Sequence, residues 1–160
     1  MKLYIKQRVF SLTDRYDIYD EYGNPYFHVT SEFLTLTAKL HLCDLAGNEL
    51  YFINRRLTFL LAKYEIYRQR TLCAEIQQQM SWFKSRLSVQ SPYGQMEIRG
   101  DFWDMQYAIY CNSVFVGSVG KKWLSWGDSY ELEIADGAEP GFFCALVLAI
   151  DNCIHNENHG

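Results

Sequence analysis

Between Phe142 and Ile150, nine consecutive residues lack a polar side chain. Successive residues of an α-helix are turned by about 100°, so a run of this length covers every face of one. A helix that is apolar on all sides must be enclosed, by protein or by lipid. A bilayer span needs roughly 20 apolar residues, and this run stops at Asp151. The stretch therefore predicts a short helix surrounded by the rest of the molecule. Pro140 suits its first turn, where a missing N–H costs nothing, and Asp136 is the expected cap. Asp151 and the Asn- and His-rich tail are expected to mark where the helix meets water. Full burial of Phe142, Phe143, Leu146, Val147, Leu148, Ile150 and Ile154 contributes about 1.5–3 kcal/mol each, so deleting the helix is expected to unfold the chain.

Almost everything before residue 136 reads as strand. Leu36, Ala38, Leu40 and Leu42 alternate with Thr37, Lys39 and His41, the period of a half-buried strand. The same alternation recurs through Leu3–Ile5, Tyr16–Ile18, Tyr64–Ile66, Ala74–Ile76, Leu87–Val89, Met96–Ile98 and Tyr130–Ile134. Residues 102–111, 114–119 and 121–126 read as three further strands. Two turns share one pattern, Asp20-Glu-Tyr-Gly-Asn24 and Asp44-Leu-Ala-Gly-Asn48. Such a pair marks either an internal duplication or two hairpins meeting one geometric need. About a dozen strands with one apolar face each suggest a sandwich or a barrel. A sandwich fills itself, whereas a large barrel has a lumen to occupy. An apolar helix with no other home favours a closed antiparallel β-barrel of about 12 strands around a central C-terminal helix.

The 160 residues fit a single domain, 1–160. A net charge of −4 gives no signal for nucleic acid. All 15 Lys and Arg lie in residues 1–122, while residues 123–160 hold 7 acids and no base. The N-terminus alternates polar and apolar residues, so no secretion signal or transmembrane segment is expected. Five widely spaced cysteines without a Cys-x-x-Cys pair fit free thiols in a reducing cytosol.

Chemical motifs are weak. Gly117-Ser-Val-Gly-Lys-Lys122 resembles part of a phosphate loop, but Phe115 occupies the first glycine position and Lys122 replaces Ser or Thr. A glycine-containing hairpin is expected there instead. His155 and His159 are four apart in a polar tail, and His28 and His41 lie on separate predicted strands. No metal site, cofactor or catalytic residue is expected.

An all-β chain that ends in a buried apolar helix resembles the tubby-like C-terminal fold, and within it the LURP-one-related family. The resemblance rests on Leu3-Tyr-Ile-Lys-Gln-Arg-Val-Phe10, Leu40-His-Leu-Cys-Asp-Leu-Ala-Gly-Asn-Glu49 and Ile98-Arg-Gly-Asp-Phe-Trp103. It continues from Val119-Gly-Lys-Lys-Trp123 through Asp128–Ile134 to Ala145–Asp151. It implies a 12-stranded barrel around the C-terminal helix and no established reaction. Proteins of the tubby-like fold include phosphoinositide binders, but their headgroup-binding basic residues have no recognisable match here. That activity is not carried over.

The residues themselves offer basic pairs. Arg55, Arg56, Arg68, Arg70, Lys121, Lys122 and Trp123 are the candidates for binding anionic phospholipid headgroups. Neighbouring strand residues point to opposite faces, so each pair puts one charge on a given side. Trp beside Lys is common at membrane interfaces, yet packing of Trp123 and Trp126 against the central helix is the expected arrangement. The expected function is non-enzymatic binding at a membrane surface. The alternatives are a protein-interaction scaffold, or an enzyme acting on a small ligand in a barrel-mouth pocket.

Overall fold

The computed structural model describes residues 1–6, 15–32, 39–57, 62–77, 86–124 and 127–155. Twelve strands precede one helix. They are β1 (Lys2–Lys6), β2 (Arg15–Asp20), β3 (Pro25–Ser31), β4 (Lys39–Cys43), β5 (Glu49–Leu57) and β6 (Ala62–Arg68). Then come β7 (Thr71–Gln77), β8 (Arg86–Ser91), β9 (Gly94–Asp101), β10 (Gln106–Cys111), β11 (Val114–Leu124) and β12 (Gly127–Ile134). The helix α1 spans Pro140–His155. The strands form one antiparallel sheet in the order β7-β6-β5-β4-β3-β2-β1-β12-β11-β10-β9-β8. Consecutive strands pair as hairpins except β7 and β8, and β1 closes onto β12 through Lys2–Glu133 to Lys6–Ser129. The sheet curls into a nearly closed barrel whose two outer strands, β7 and β8, approach each other along a seam.

Alternation along each strand sends one set of side chains inward. Leu3, Ile18, Leu42, Ile53, Ile66 and Ile98 are among them, and each is almost fully buried. The helix occupies the lumen they line. Every residue from Phe142 to Ile150 is 0–3% exposed, as an all-round apolar cylinder requires. We call the end of the barrel where α1 begins the lower end. The turns at residues 21–24, 44–48, 69–70, 92–93 and 112–113 lie there, because each joins a descending strand to an ascending one.

The helix start departs from expectation. Asp136 is exposed, and the cap is Glu139. Its carboxylate accepts the N–H of Gly141 at 3.0 Å and of Phe142 at 2.6 Å, and the buried Tyr51 hydroxyl donates to it at 2.6 Å. Burial and this carboxylate together push the Tyr51 hydroxyl well above the usual tyrosine range. The helix end departs too. Asp151 and Asn152 are 6% and 3% exposed, so the chain does not meet water there. Tyr130 donates to Asp151 at 3.1 Å, and Tyr64 donates to the Asn152 carbonyl at 2.9 Å. Barrel tyrosines thus hold both ends of the helix.

The twin turns adopt one geometry. In each, the Asp carboxylate accepts the Asn backbone N–H at 2.8 Å. Gly23 and Gly47 take φ of 81° and 89°, values that favour glycine. Residues 114–124 form one strand where two joined by a glycine hairpin were expected. Gly117 is needed for close packing instead: a Cβ there would lie 2.7 Å from the Glu133 carbonyl oxygen. Residues 102–105 form a turn, not the start of a strand. Residues 35–38 and Trp126, also read from the sequence, lie outside the described residues.

Candidate binding surfaces

The basic candidates do not form one site. Arg55 and Arg56 lie near the upper end of β5, and Lys121, Lys122 and Trp123 near the upper end of β11. These strands are six places apart in the twelve-strand order, on opposite sides of the wall. Arg68 and Arg70 flank the β6–β7 turn at the lower end. Three of these six cations also make ion pairs. Arg56 pairs with Glu65 at 3.5 Å, Lys121 with Asp104 at 3.4 Å and Lys122 with Glu131 at 3.7 Å.

Alternation separates each pair as expected. Partners across an antiparallel ladder share a face. Arg55 is opposite the inward Tyr64, and Lys121 is opposite the inward Tyr130. Arg56 and Lys122 therefore point outward. Glu131 lies under Lys122 and also accepts Tyr4 at 2.8 Å and Lys2 at 3.4 Å. Burial would raise its pKa, but Tyr4, Lys122 and Lys2 outweigh burial and hold it below the usual range.

Among the described residues, the upper rim at β9–β11 carries the two exposed tryptophans. Trp123 is 81% exposed, so it does not pack on the central helix. The β9–β10 turn explains its neighbour. Phe102 and Met105 are buried, with Met105 at φ 50°, and this leaves Trp103 and Asp104 on the outside. Trp103 is 41% exposed. The Lys121–Asp104 pair ties this turn to β11, so both tryptophans belong to one stretch of rim. Sequence reading missed Trp103 because no Gly, Pro or Asn marks the turn, and its left-handed residue is a methionine.

Elsewhere, His28 faces Asp17 at 2.5 Å, and His41 lies between Glu49 at 2.6 Å and Glu32 at 3.1 Å. Among the described residues, no group of three or more His, Cys, Asp or Glu is placed to hold a metal ion. No described helix is long and apolar enough to cross a membrane. Cys144 and Cys153 are buried, and Cys43, Cys73 and Cys111 are partly exposed.

Comparisons with known proteins agree with this architecture. An uncharacterized Bacillus subtilis (strain 168) protein, YxjI, is 32% identical over 158 residues, covering 98% of this chain and 96% of that one. An X-ray structure of an Arabidopsis thaliana protein superposes with a TM-score of 0.63 at 15% identity, over 98% of this chain and 91% of the other. The LURP-one-related family matches residues 1–151. On these grounds, and with a barrel wrapped round a C-terminal helix, the chain belongs to the LURP-one-related family.

Proposed function

We propose that this protein is a non-enzymatic barrel that docks its upper β9–β11 rim on an anionic phospholipid surface. One observation carries the reading: two exposed tryptophans, Trp103 and Trp123, stand beside Lys121 and Lys122 at one end of the molecule. Tryptophan suits the headgroup layer, where its ring is half in hydrocarbon and its N–H in water. A lysine near an anionic surface contributes about 1 kcal/mol. Charge at the other end supports the orientation. At the lower end Asp20, Glu21, Asp44, Glu49, Glu133 and Asp136 outnumber Lys2, Arg68 and Arg70, and anionic lipid repels that excess. The helix fills the lumen, which supports a surface role over chemistry in an interior pocket. On this reading Arg55, Arg56, Arg68 and Arg70 are not part of the membrane contact.

Co-sedimentation with phosphatidylserine-rich vesicles at low ionic strength tests the proposal. Binding is expected there, weakened by salt and absent on phosphatidylcholine alone. The double variant Trp103→Ala/Trp123→Ala is expected to bind roughly tenfold more weakly or worse, a loss of about 1.4 kcal/mol. If the protein ignores anionic vesicles at low salt, or the double variant binds as well as the parent, the proposal is wrong.

A further inference from the structure

Among the described residues, the barrel wall has one interruption. β7 and β8 stand side by side with Cα atoms within 8 Å, yet among the described residues no backbone hydrogen bond joins them. Each is paired on one side only, β7 with β6 and β8 with β9. In an antiparallel ladder, every second residue of an edge strand turns both its N–H and its C=O to the open side. The seam thus offers backbone donors and acceptors of the kind that capture an extended chain.

The lower half of the seam carries a groove of about 350 Å³, lined by Leu72, Cys73, Ala74 and Glu75 of β7 and by Gln90, Ser91 and Pro92. Leu72 is half exposed, and Pro92 has no N–H to occupy. At about 3.3 Å per residue, the Leu72–Glu75 edge matches three or four residues of a guest strand.

Arg68 and Arg70 flank Gln69 in the β6–β7 turn, just before the residues of β7 that line this groove. Among the described residues neither makes an ion pair, whereas Arg56, Arg86 and Arg99 each do. Their turn is strained: Gln69 and Arg70 hold φ of 48° and 67°, a conformation usually left to glycine or asparagine. The Arg68 guanidinium sits 5.8 Å from the centre of the Tyr51 ring. Arg68 thus has an aromatic neighbour but no ion pair among the described residues, and two neighbouring guanidinium groups suit a carboxylate.

We infer that the β7–β8 seam is a peptide site. It takes the last three or four residues of an extended chain, with the terminal carboxylate on Arg68 and Arg70 and the backbone on the free edge of β7. A carboxylate at the lower mouth makes the guest run antiparallel to β7, the stronger ladder. Leu72 and Pro92 receive its apolar side chains. Glu75, engaged by Lys63 at 2.8 Å, stands at the far end of the groove from the arginines. A fatty acid would answer the arginines and the apolar walls but leave the edge amides unpaired, so the edges favour a peptide. The site lies at the opposite end of the barrel from the tryptophan rim and does not depend on it.

The full-length protein should be panned against random peptides of about seven residues displayed with free C-termini, with Leu72→Glu as the counter-target. Enriched peptides are then measured by fluorescence anisotropy as the free acid and as the C-terminal amide. The acid is expected to bind roughly tenfold more tightly than the amide, and Arg68→Ala/Arg70→Ala is expected to lose the same factor. Binding of that double variant to phosphatidylserine-rich vesicles is expected to be unchanged. Both variants change exposed positions, so their thermal transitions are expected to match the parent. If either fails to fold, the acid-against-amide comparison on the parent protein decides. No enrichment over Leu72→Glu, or equal binding of acid and amide, would overturn the inference. Loss of vesicle binding by the double arginine variant without any selected peptide would make this corner a headgroup site instead, and would equally overturn it.

Discussion

Replacing Glu139 by Ala removes three hydrogen bonds at the base of the central helix. The carboxylate accepts the N–H of Gly141 and of Phe142 and the hydroxyl of Tyr51. Loss of an N-cap costs about 1 kcal/mol. The Tyr51 hydroxyl cannot turn to water, because Tyr51 is 2% exposed; its nearest alternative, the Tyr93 hydroxyl, is 3.5 Å away. Leaving a buried hydroxyl without an acceptor costs about 1–3 kcal/mol more. The total of about 2–4 kcal/mol corresponds to a fall in Tm of about 5–15 °C for a chain of this size. Asp136 is the matched control. It is exposed, and Asp136→Ala is expected to change stability by no more than about 0.5 kcal/mol. Differential scanning calorimetry reads both. In addition, the Tyr51→Phe/Glu139→Ala cycle is expected to show a coupling of about 1 kcal/mol or more. Equal Tm changes for the two single variants, or a coupling near zero, would refute the assignment of Glu139 as the cap.

Two further perturbations follow from the same geometry. Gly100 has φ 147°, and a Cβ there would clash with the Gln106 carbonyl oxygen and meet the Tyr107 Cα at 2.6 Å, whereas a Cβ on Gly120 meets nothing within 4 Å. Gly100→Ala is therefore expected to cost about 3 kcal/mol or more, and Gly120→Ala to be neutral or stabilising by up to about 1 kcal/mol; urea unfolding compares them. The protein is also expected to lose stability in acid. Hydrogen bonds from Asn24 and Asn48 hold Asp20 and Asp44 below the usual carboxylate range, Arg99 and Arg86 do so for Glu97, and Glu131 is lowered as well. A carboxylate whose pKa is depressed by folding contributes stability above its unfolded value, and that contribution is lost as pH falls through the folded one. Tm is thus expected to drop steadily from about pH 4.5 downward, with a shallower slope in Asp20→Asn/Asp44→Asn. An unchanged slope would remove these turns from the account.

What could be read from the sequence follows its periodicities. The helix was legible because nine apolar residues leave no face for water, and the strands because Leu40-His-Leu and Leu132-Glu-Ile alternate in and out. The two Asp-x-x-Gly-Asn turns were legible because their glycines are needed at positive φ. Other features depend on contacts distant in sequence. Glycine signals a turn, yet Gly117 serves close packing between β11 and β12. Asp136 has the chemistry of a cap, but Glu139 has the reach and the Tyr51 partner. Asp151 looks like a solvent marker until Tyr130 is found beside it. The seam could not be read at all, since β7 and β8 alternate like their neighbours and only the closed sheet shows which edge is left over. The basic candidates were drawn from chain proximity, which says nothing about the side of a barrel on which a strand falls.

Each surface proposed here exists because the helix occupies the lumen and leaves only rim and seam for ligands. Native-state hydrogen exchange of the amides from Leu146 to Ile150 tests that arrangement most directly. The account predicts that they exchange only through global unfolding, with a free energy equal to that from denaturant melts and the same dependence on denaturant. Exchange of these amides through a lower-energy opening that is insensitive to denaturant, while the strands stay protected, would contradict it.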